Sequence, residues 1–145
     1  MGYAIAVMAM VFVLLVGNVQ LRESTGHQSQ AINRTADRLA ADMLRLASGV
    51  NNWHYRSTLD DGNLNTRQFG LVPPPDSRIN AAIYRGRLWL WIPEQQGLVA
   101  SLNHQSVSSA LVATVAGGRL RMVDGTDMNI SFPAGVAEGN IVYLN

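Results

Sequence analysis

The sequence predicts an α+β fold in which a long N-terminal helix packs on a small antiparallel sheet. Three observations lead to this prediction. Residues 1–21 carry no charged side chain, residues 32–53 carry an apolar stripe at helical spacing, and short apolar runs alternate with turn residues after residue 78. The first two patterns follow each other along the chain, so we expect a membrane anchor with an amphipathic helical continuation.

The uncharged first segment has the length that a helix needs to cross a bilayer, about 20 residues. It lacks both the basic start and the small-x-small cleavage site of a signal peptide, so we expect an uncleaved transmembrane anchor over residues 1–21. A buried helix of a water-soluble core is the alternative. The expected lipid-facing side chains are Val7, Val11, Phe12, Leu14 and Leu15.

The remainder, residues 22–145, has the size of a single domain. The net charge of +1 gives no reason to expect nucleic acid as a partner, and the absence of cysteine excludes disulfides and thiolate metal sites. The opposite charges of Arg22 and Glu23 next to the anchor cancel, so the flanking charge does not decide how the anchor is oriented across the membrane. We expect the N-terminus inside and the domain outside, which is the common arrangement for an anchor placed first.

An amphipathic helix is predicted over about residues 28–50, ended by Gly49 and the asparagines that follow it. Its apolar side chains are spaced four and three residues apart, which favours packing on the protein's own sheet. A coiled-coil seam with another copy or another membrane helix is the alternative. The anchor and this helix could also form one helix of about 45 residues. The stripe comprises Ile32, Ala36, Leu39, Met43, Leu46, Val50 and Trp53.

The sheet is predicted over about residues 78–145, beginning with a hairpin of residues 79–84 and 87–92. The second of these strands is apolar on both faces, which indicates a central position. Of its two tryptophans, Trp89 and Trp91, we expect one in the core and the other under the long helix. Residues 54–72 before the hairpin read as an irregular connection with a turn at 60–63.

After the first hairpin, residues 107–115 could form a helix or a strand, and the serines and alanine around residue 108 favour a short helix. A second hairpin is predicted from residues 119–123 and 128–132, with Asp124 and Gly125 as its turn. Residues 140–144 form the predicted last strand.

No group of residues in the sequence has the pattern of a catalytic, cofactor or metal site. The three histidines, His27, His54 and His104, lie far apart and have no ligand partner at helical spacing. The paired carboxylates Asp60 and Asp61 lie in a turn, where aspartate is common for local reasons. We therefore expect a protein that is not an enzyme. A membrane-tethered hydrolase using Asp60, Asp61 and His54 is the alternative from another functional class.

The order of elements resembles type IV pilins, in which a hydrophobic helix continues into an amphipathic one and packs on a sheet. The start Met1-Gly2-Tyr3, the apolar string of residues 11–15 and the ending Gly139-Asn140-Ile141-Val142-Tyr143 resemble the small PilM family. That family belongs to the thin, type IVb pilus clusters of conjugative plasmids. Pilins carry glutamate where this chain has Val7.

The resemblance to PilM implies a single-pass accessory protein of the inner membrane, with its C-terminal domain in the periplasm. Its partners would be the bilayer, pilins or other pilus assembly proteins, and a homo-oligomer is a further option. No catalytic residue is carried over from the family. The alternative is a minor pilin that enters the filament, which would be cleaved after Gly2.

Overall fold

The computed structural model describes residues 2–108 and 111–145, without the side chains of residues 15–25. The chain divides into two compact units, Met1–Arg34 and Thr35–Asn145. The elements in chain order are α1 (Gly2–Arg56), β1 (Gly62–Leu64), β2 (Asn80–Tyr84), β3 (Arg87–Ile92), α2 (Leu98–Gln105), β4 (Leu111–Ala116), β5 (Arg119–Met122) and β6 (Ile141–Leu144). This architecture confirms the predicted α+β class.

The α1 helix is longer at both ends than the predicted helix of residues 28–50. It is one helix of 55 residues. This is the single-helix alternative, longer than expected by about ten residues, or nearly three turns. Our prediction that Gly49 and the following asparagines end it was wrong. The last turn is held by contacts with the residues that follow the helix. The rings of Trp53 and Phe69 pack edge-on with their centroids 5.8 Å apart, and His54 Nδ1 accepts the N–H of Leu59. Those contacts outweigh weak local helix propensity.

The six strands form one antiparallel sheet in the order β1-β2-β3-β6-β4-β5. The last strand, β6, therefore lies in the middle of the sheet between β3 and β4. The first predicted hairpin is confirmed as β2 and β3 with the turn Arg85-Gly86. The predicted central position of β3 is also confirmed, since every side chain after Arg87 in this strand is buried.

Each face of the sheet packs into its own core. One core joins the α1 stripe to Leu88, Leu90 and Ile92 of β3. The other places Trp89 and Trp91 beneath the loop that carries Phe132 and Val136. Our prediction of separate places for the two tryptophans was wrong, because residues two apart in a strand point to the same face. Neither tryptophan is part of the core that contains the long helix.

Two further expectations need correction. The connection 54–72 contains the strand β1, which pairs with β2. The second helix is α2, whose Leu98 and Leu102 are buried, whereas the predicted helix region contains β4. Ser109 and Ala110, which favoured a helix there, lie outside the described residues. The strand alternative for this region is therefore the correct one.

The second hairpin differs from the predicted one in the strand that pairs with β5. Strand β5 pairs with β4 through Gly117-Gly118. After the turn at Asp124-Gly125 the chain meets β5 through an isolated bridge of Arg121 to Asp127, and residues 128–132 form no strand. The two glycines have φ of 62° and 68°, which suit the tight two-residue turns of hairpins. Asn129 has a φ of 47°, which interrupts the extended backbone that the predicted strand required.

Candidate functional site

The first part of α1 exposes apolar side chains around its whole circumference. We call residues 3–14 the apolar N-terminal segment. Its larger side chains range from 51% exposed at Val11 to 90% exposed at Tyr3. A helix that is apolar on all sides is typical of a buried or membrane environment, because water would otherwise contact every side chain. Val7, Phe12 and Leu14 share this exposure, whereas the Leu15 side chain lies outside the described residues.

The apolar N-terminal segment also carries a shallow concavity of about 510 Å³ over Ala9. Its walls include Ile5, Met8 and Phe12, which together with Ala9 occupy positions i, i+3, i+4 and i+7 of the helix. Four residues at these positions form the hole that accepts a side chain in helix–helix packing. The segment can therefore contact either lipid chains or a neighbouring helix.

The sequence indicates Ile32, Ala36, Leu39, Met43 and Leu46 of the stripe as the possible packing or partner face, and most of them are buried by the protein itself. Ala36, Leu39, Met43 and Leu46 are each at most 2% exposed. Leu39, Met43 and Leu46 belong to the core beneath α1, while Ile32 at the start of the stripe is half-buried. The side chains from Leu39 to Leu46 pack on the sheet, and this leaves them no apolar surface for a coiled-coil seam.

The polar side of α1 bonds to α2 and to the segment before β2 that contains Pro73 and Asp76, and Arg45 Nη2 donates to Pro73 O at 2.7 Å. Asp37 accepts the hydroxyl of Ser101 at 2.6 Å through Oδ1 and the side-chain amide of Gln105 through its backbone carbonyl. Asp42 accepts Arg45 Nη2 through Oδ1 and the backbone N–H of Asp76 through Oδ2. The charged residues of this helix thus serve its packing.

The groups suggested for a hydrolase are occupied by structural hydrogen bonds. Asp61 accepts the backbone N–H groups of Arg85 and Gly86 at 2.9 and 3.1 Å. His54 Nδ1 accepts the N–H of Leu59 at 3.1 Å. Asp60, His27 and His104 are exposed. Within the described ranges, no group of three or more His, Cys, Asp or Glu side chains could hold a metal ion.

Carboxylates hold the turns of both hairpins, which the sequence reasoning missed. Glu138 accepts the N–H groups of Gly117 and Gly118 at 2.7 and 3.0 Å, in the same way that Asp61 holds the β2–β3 turn. These two hydrogen bonds lower the pKa of the Glu138 carboxyl below its usual range, because they stabilise its ionised form. No sequence motif marks this contact, since Glu138 lies about twenty residues from the turn.

The structure adds one finding that bears on the membrane prediction. Among the residues whose placement is described, no helix is both long enough and apolar enough to cross a membrane.

The arrangement defines the class of the protein as an α+β domain built on a long N-terminal helix, with an apolar helical segment at its start. Comparison with known proteins then gives the family. The sequence model of the PilM family matches residues 10–144, so the chain belongs to the PilM family. Family membership makes it a pilus-associated protein and confirms the resemblance seen in the sequence.

A solved structure supports the same assignment. The crystal structure of the protein PilM from Escherichia coli B7A is similar to this chain with a TM-score of 0.66 and 30% sequence identity. The similarity covers 77% of this chain and 92% of the E. coli chain. The search of curated proteins returned no match.

Proposed function

We propose that this protein is a non-enzymatic accessory protein of type IVb pilus assembly, anchored in the inner membrane by residues 1–21. Its domain would lie in the periplasm and dock pilins or basal-body components. The observation that carries the proposal is the apolar N-terminal segment, which has no charge and exposes apolar side chains on all sides. Exposed apolar surface of this extent is typical of membrane or protein contact sites.

The non-enzymatic part of the proposal is supported by how the candidate groups are used. Asp61 and His54 each accept backbone N–H groups, and the Asp37–Ser101 pair joins two helices. These contacts give every one of the acidic and basic candidates except Asp60 a structural task.

The test of anchoring is Val11→Arg in the full chain, with Val123→Arg as the matched control. Val11 and Val123 are both more than half exposed, but Val123 lies outside the helices and strands. An arginine near the centre of a membrane helix costs roughly 2.5–3.5 kcal/mol, so membrane insertion should fall by about two orders of magnitude. The measurement is the fraction of chain that stays with carbonate-washed membranes, together with complementation of pilus assembly.

We expect Val11→Arg to leave the membrane fraction and fail to complement, while Val123→Arg behaves like the unchanged protein. Retention of Val11→Arg in washed membranes at the unchanged level would contradict anchoring. A folded C-terminal reporter that works only outside the cytoplasm, fused after Asn145, reports the side on which the domain lies.

A minor pilin is the second candidate, favoured by the pairing of a long N-terminal helix with an antiparallel sheet. Mass spectrometry of the N-terminus separates the two. Cleavage after Gly2 with methylation of Tyr3 supports the pilin, and an intact start in assembled material supports the accessory protein.

A further inference from the structure

The two edges of the sheet differ in how their backbone groups are used. Strands β1 and β5 are the edge strands. In an antiparallel sheet, residues along an edge strand alternately direct their N–H and C=O groups toward the neighbouring strand and away from it. The outward groups of an edge can bind another strand, so natural sheets usually cover or shorten their edges.

The β5 edge is closed by the protein's own chain. Counting from the two-residue turn Gly117-Gly118, the outward residues of β5 are Leu120 and Met122. Leu120 O accepts the N–H of Met128 at 2.9 Å, and Met122 N–H donates to Thr126 O at 2.8 Å. The loop after β5 therefore forms hydrogen bonds with both of the outward residues that the register identifies.

The same count identifies the outward residue of β1. The two-residue turn Arg85-Gly86 makes Ala81 and Ile83 of β2 the residues that bond to β1. Their partners are Leu64 and Gly62, so Asn63 between them directs its N–H and C=O away from the sheet. Among the described residues, no hydrogen bond to the Asn63 backbone covers this edge.

We propose that the β1 edge pairs with the β1 edge of a second copy of this chain, antiparallel and centred on Asn63. Two copies related by a two-fold axis would then exchange two backbone hydrogen bonds between their Asn63 residues. The pairing would join the two sheets into one continuous sheet. This association is independent of membrane anchoring.

Charge complementarity selects a second copy as the occupant. An exposed acidic residue, Asp60, precedes β1, and an exposed basic residue, Arg67, follows it. Antiparallel self-pairing brings the start of each strand to the end of the other, so Asp60 of one copy and Arg67 of the other fall at the same end of the pairing. Opposite charges at the two ends of a short strand pair determine the register of the two strands more than they increase the affinity.

The groove beside the edge fits the side chain that self-pairing would deliver. It has a volume of about 280 Å³ and is lined by Asn63, Asn80, Trp91 and Gly135 among others. Residues directly opposite each other in an antiparallel pair point to the same face, so the second copy's Asn63 amide would lie beside this groove. An amide can both donate to and accept from the two asparagines there.

Cysteine trapping tests the geometry in the full chain, purified in detergent micelles. The chain has no cysteine, so Asn63→Cys and Arg121→Cys each carry a single thiol, one on each edge. Facing hydrogen-bonded residues of an antiparallel pair have Cα atoms about 5.5 Å apart, which a disulfide spans. We expect several-fold more disulfide-linked dimer at position 63 than at position 121. Equal yields at the two positions would overturn the proposal.

A backbone substitution separates edge pairing from helix-driven association in the same micelles. Asn63→Pro removes the outward N–H but leaves the hydrogen bonds of Gly62 and Leu64 to β2, whereas Asn63→Ala keeps the N–H. Circular dichroism of both variants checks that they fold. We expect Asn63→Pro to lower the dimer fraction in light scattering and Asn63→Ala to retain it. An unchanged dimer fraction in a folded Asn63→Pro variant would overturn self-pairing.

Charge exchange tests the identity of the occupant. Asp60→Arg and Arg67→Asp should each weaken the dimer, because each places like charges opposite each other. The double variant Asp60→Arg/Arg67→Asp restores opposite charges only when both copies carry it, so we expect the dimer to recover. A double variant that is weaker than either single one would overturn antiparallel self-pairing at this edge.

Discussion

The two parts of α1 use apolar residues in opposite ways. The apolar N-terminal segment exposes its side chains on every side of the helix, whereas residues 36–50 bury one stripe and keep charged residues elsewhere. A sheet can cover only one side of a helix, so the second part needs only a stripe. Apolar residues on the remaining sides of the first part contribute nothing to such packing and indicate a lipid or helical neighbour.

The largest expected difference between the parts comes from the same truncation made in each. Leu46 is fully buried, so Leu46→Ala should lower the free energy of unfolding by about 2–5 kcal/mol. Leu14 is 65% exposed, so Leu14→Ala should change it by less than about 0.5 kcal/mol. Urea unfolding of the detergent-solubilised chain, followed by tryptophan fluorescence, measures both. Similar losses for the two variants would mean that Leu14 also packs in a core.

Acid should cause a smaller loss of folding stability, and we expect this loss at the contact between Asp76 and the second part of α1. The Arg78 side chain lowers the pKa of Asp76 from 3.8 to about 2, and Asp76 also bonds through its N–H to Asp42 on α1. Because the folded-state pKa is the lower one, this stabilisation is complete above about pH 4 and is lost as the pH falls to about 2. We expect roughly 1 kcal/mol, since Arg78 is half exposed and solvent screens the pair.

Asp76→Asn is the control for this acid effect. It keeps the shape of the side chain and removes the titration, so unfolding of the variant should depend less on pH between 4 and 2. Thermal unfolding of both proteins across this range is the measurement. An identical pH dependence in the variant would remove Asp76 from the explanation.

The smallest expected effects come from the two glycines Gly26 and Gly49 of α1. A Cβ at Gly26 meets no atom within 4 Å, so Gly26→Ala should stabilise the helix locally by up to about 1 kcal/mol through helix propensity. A Cβ at Gly49 would lie 3.3 Å from Leu71 Cδ2, so Leu71 must shift and the gain should be smaller. Hydrogen exchange of nearby amides should slow by up to about fivefold for Gly26→Ala. A larger slowing for Gly49→Ala would contradict this order.

Sequence patterns of short range predicted their elements well. The stripe from Ala36 to Val50 and the hairpin around Arg85-Gly86 depend on residues close together in the chain, and both occur as predicted. The apolar N-terminal segment was likewise evident from composition, although its anchoring stays a prediction. The local spacing of side chains contains the information needed in these cases.

The turn of the second hairpin was not decided locally. Strand β5 is flanked by two plausible turns, Gly117-Gly118 and Asp124-Gly125. The chain turns at both places, but only the first turn joins β5 to another strand of the sheet, where Glu138 bonds both glycine N–H groups and β4 continues the sheet next to β6. After the second turn the chain meets β5 through the bridge of Arg121 to Asp127 and forms no strand. Both the carboxylate and the neighbouring strand come from the end of the chain. A window of sequence around the turn therefore could not distinguish the two alternatives.

The sequence by itself determined the long helix, its change from uniformly apolar to striped, and the first hairpin, because each follows from the periodicity of neighbouring side chains. The tertiary structure alone decided that β6 is inserted between β3 and β4. It also decided that the short segment Gly62–Leu64 forms the strand β1, and that Asn63 therefore lies at an open edge. Strand order and edges depend on hydrogen bonds between residues distant in the chain, and local propensities do not encode those pairings.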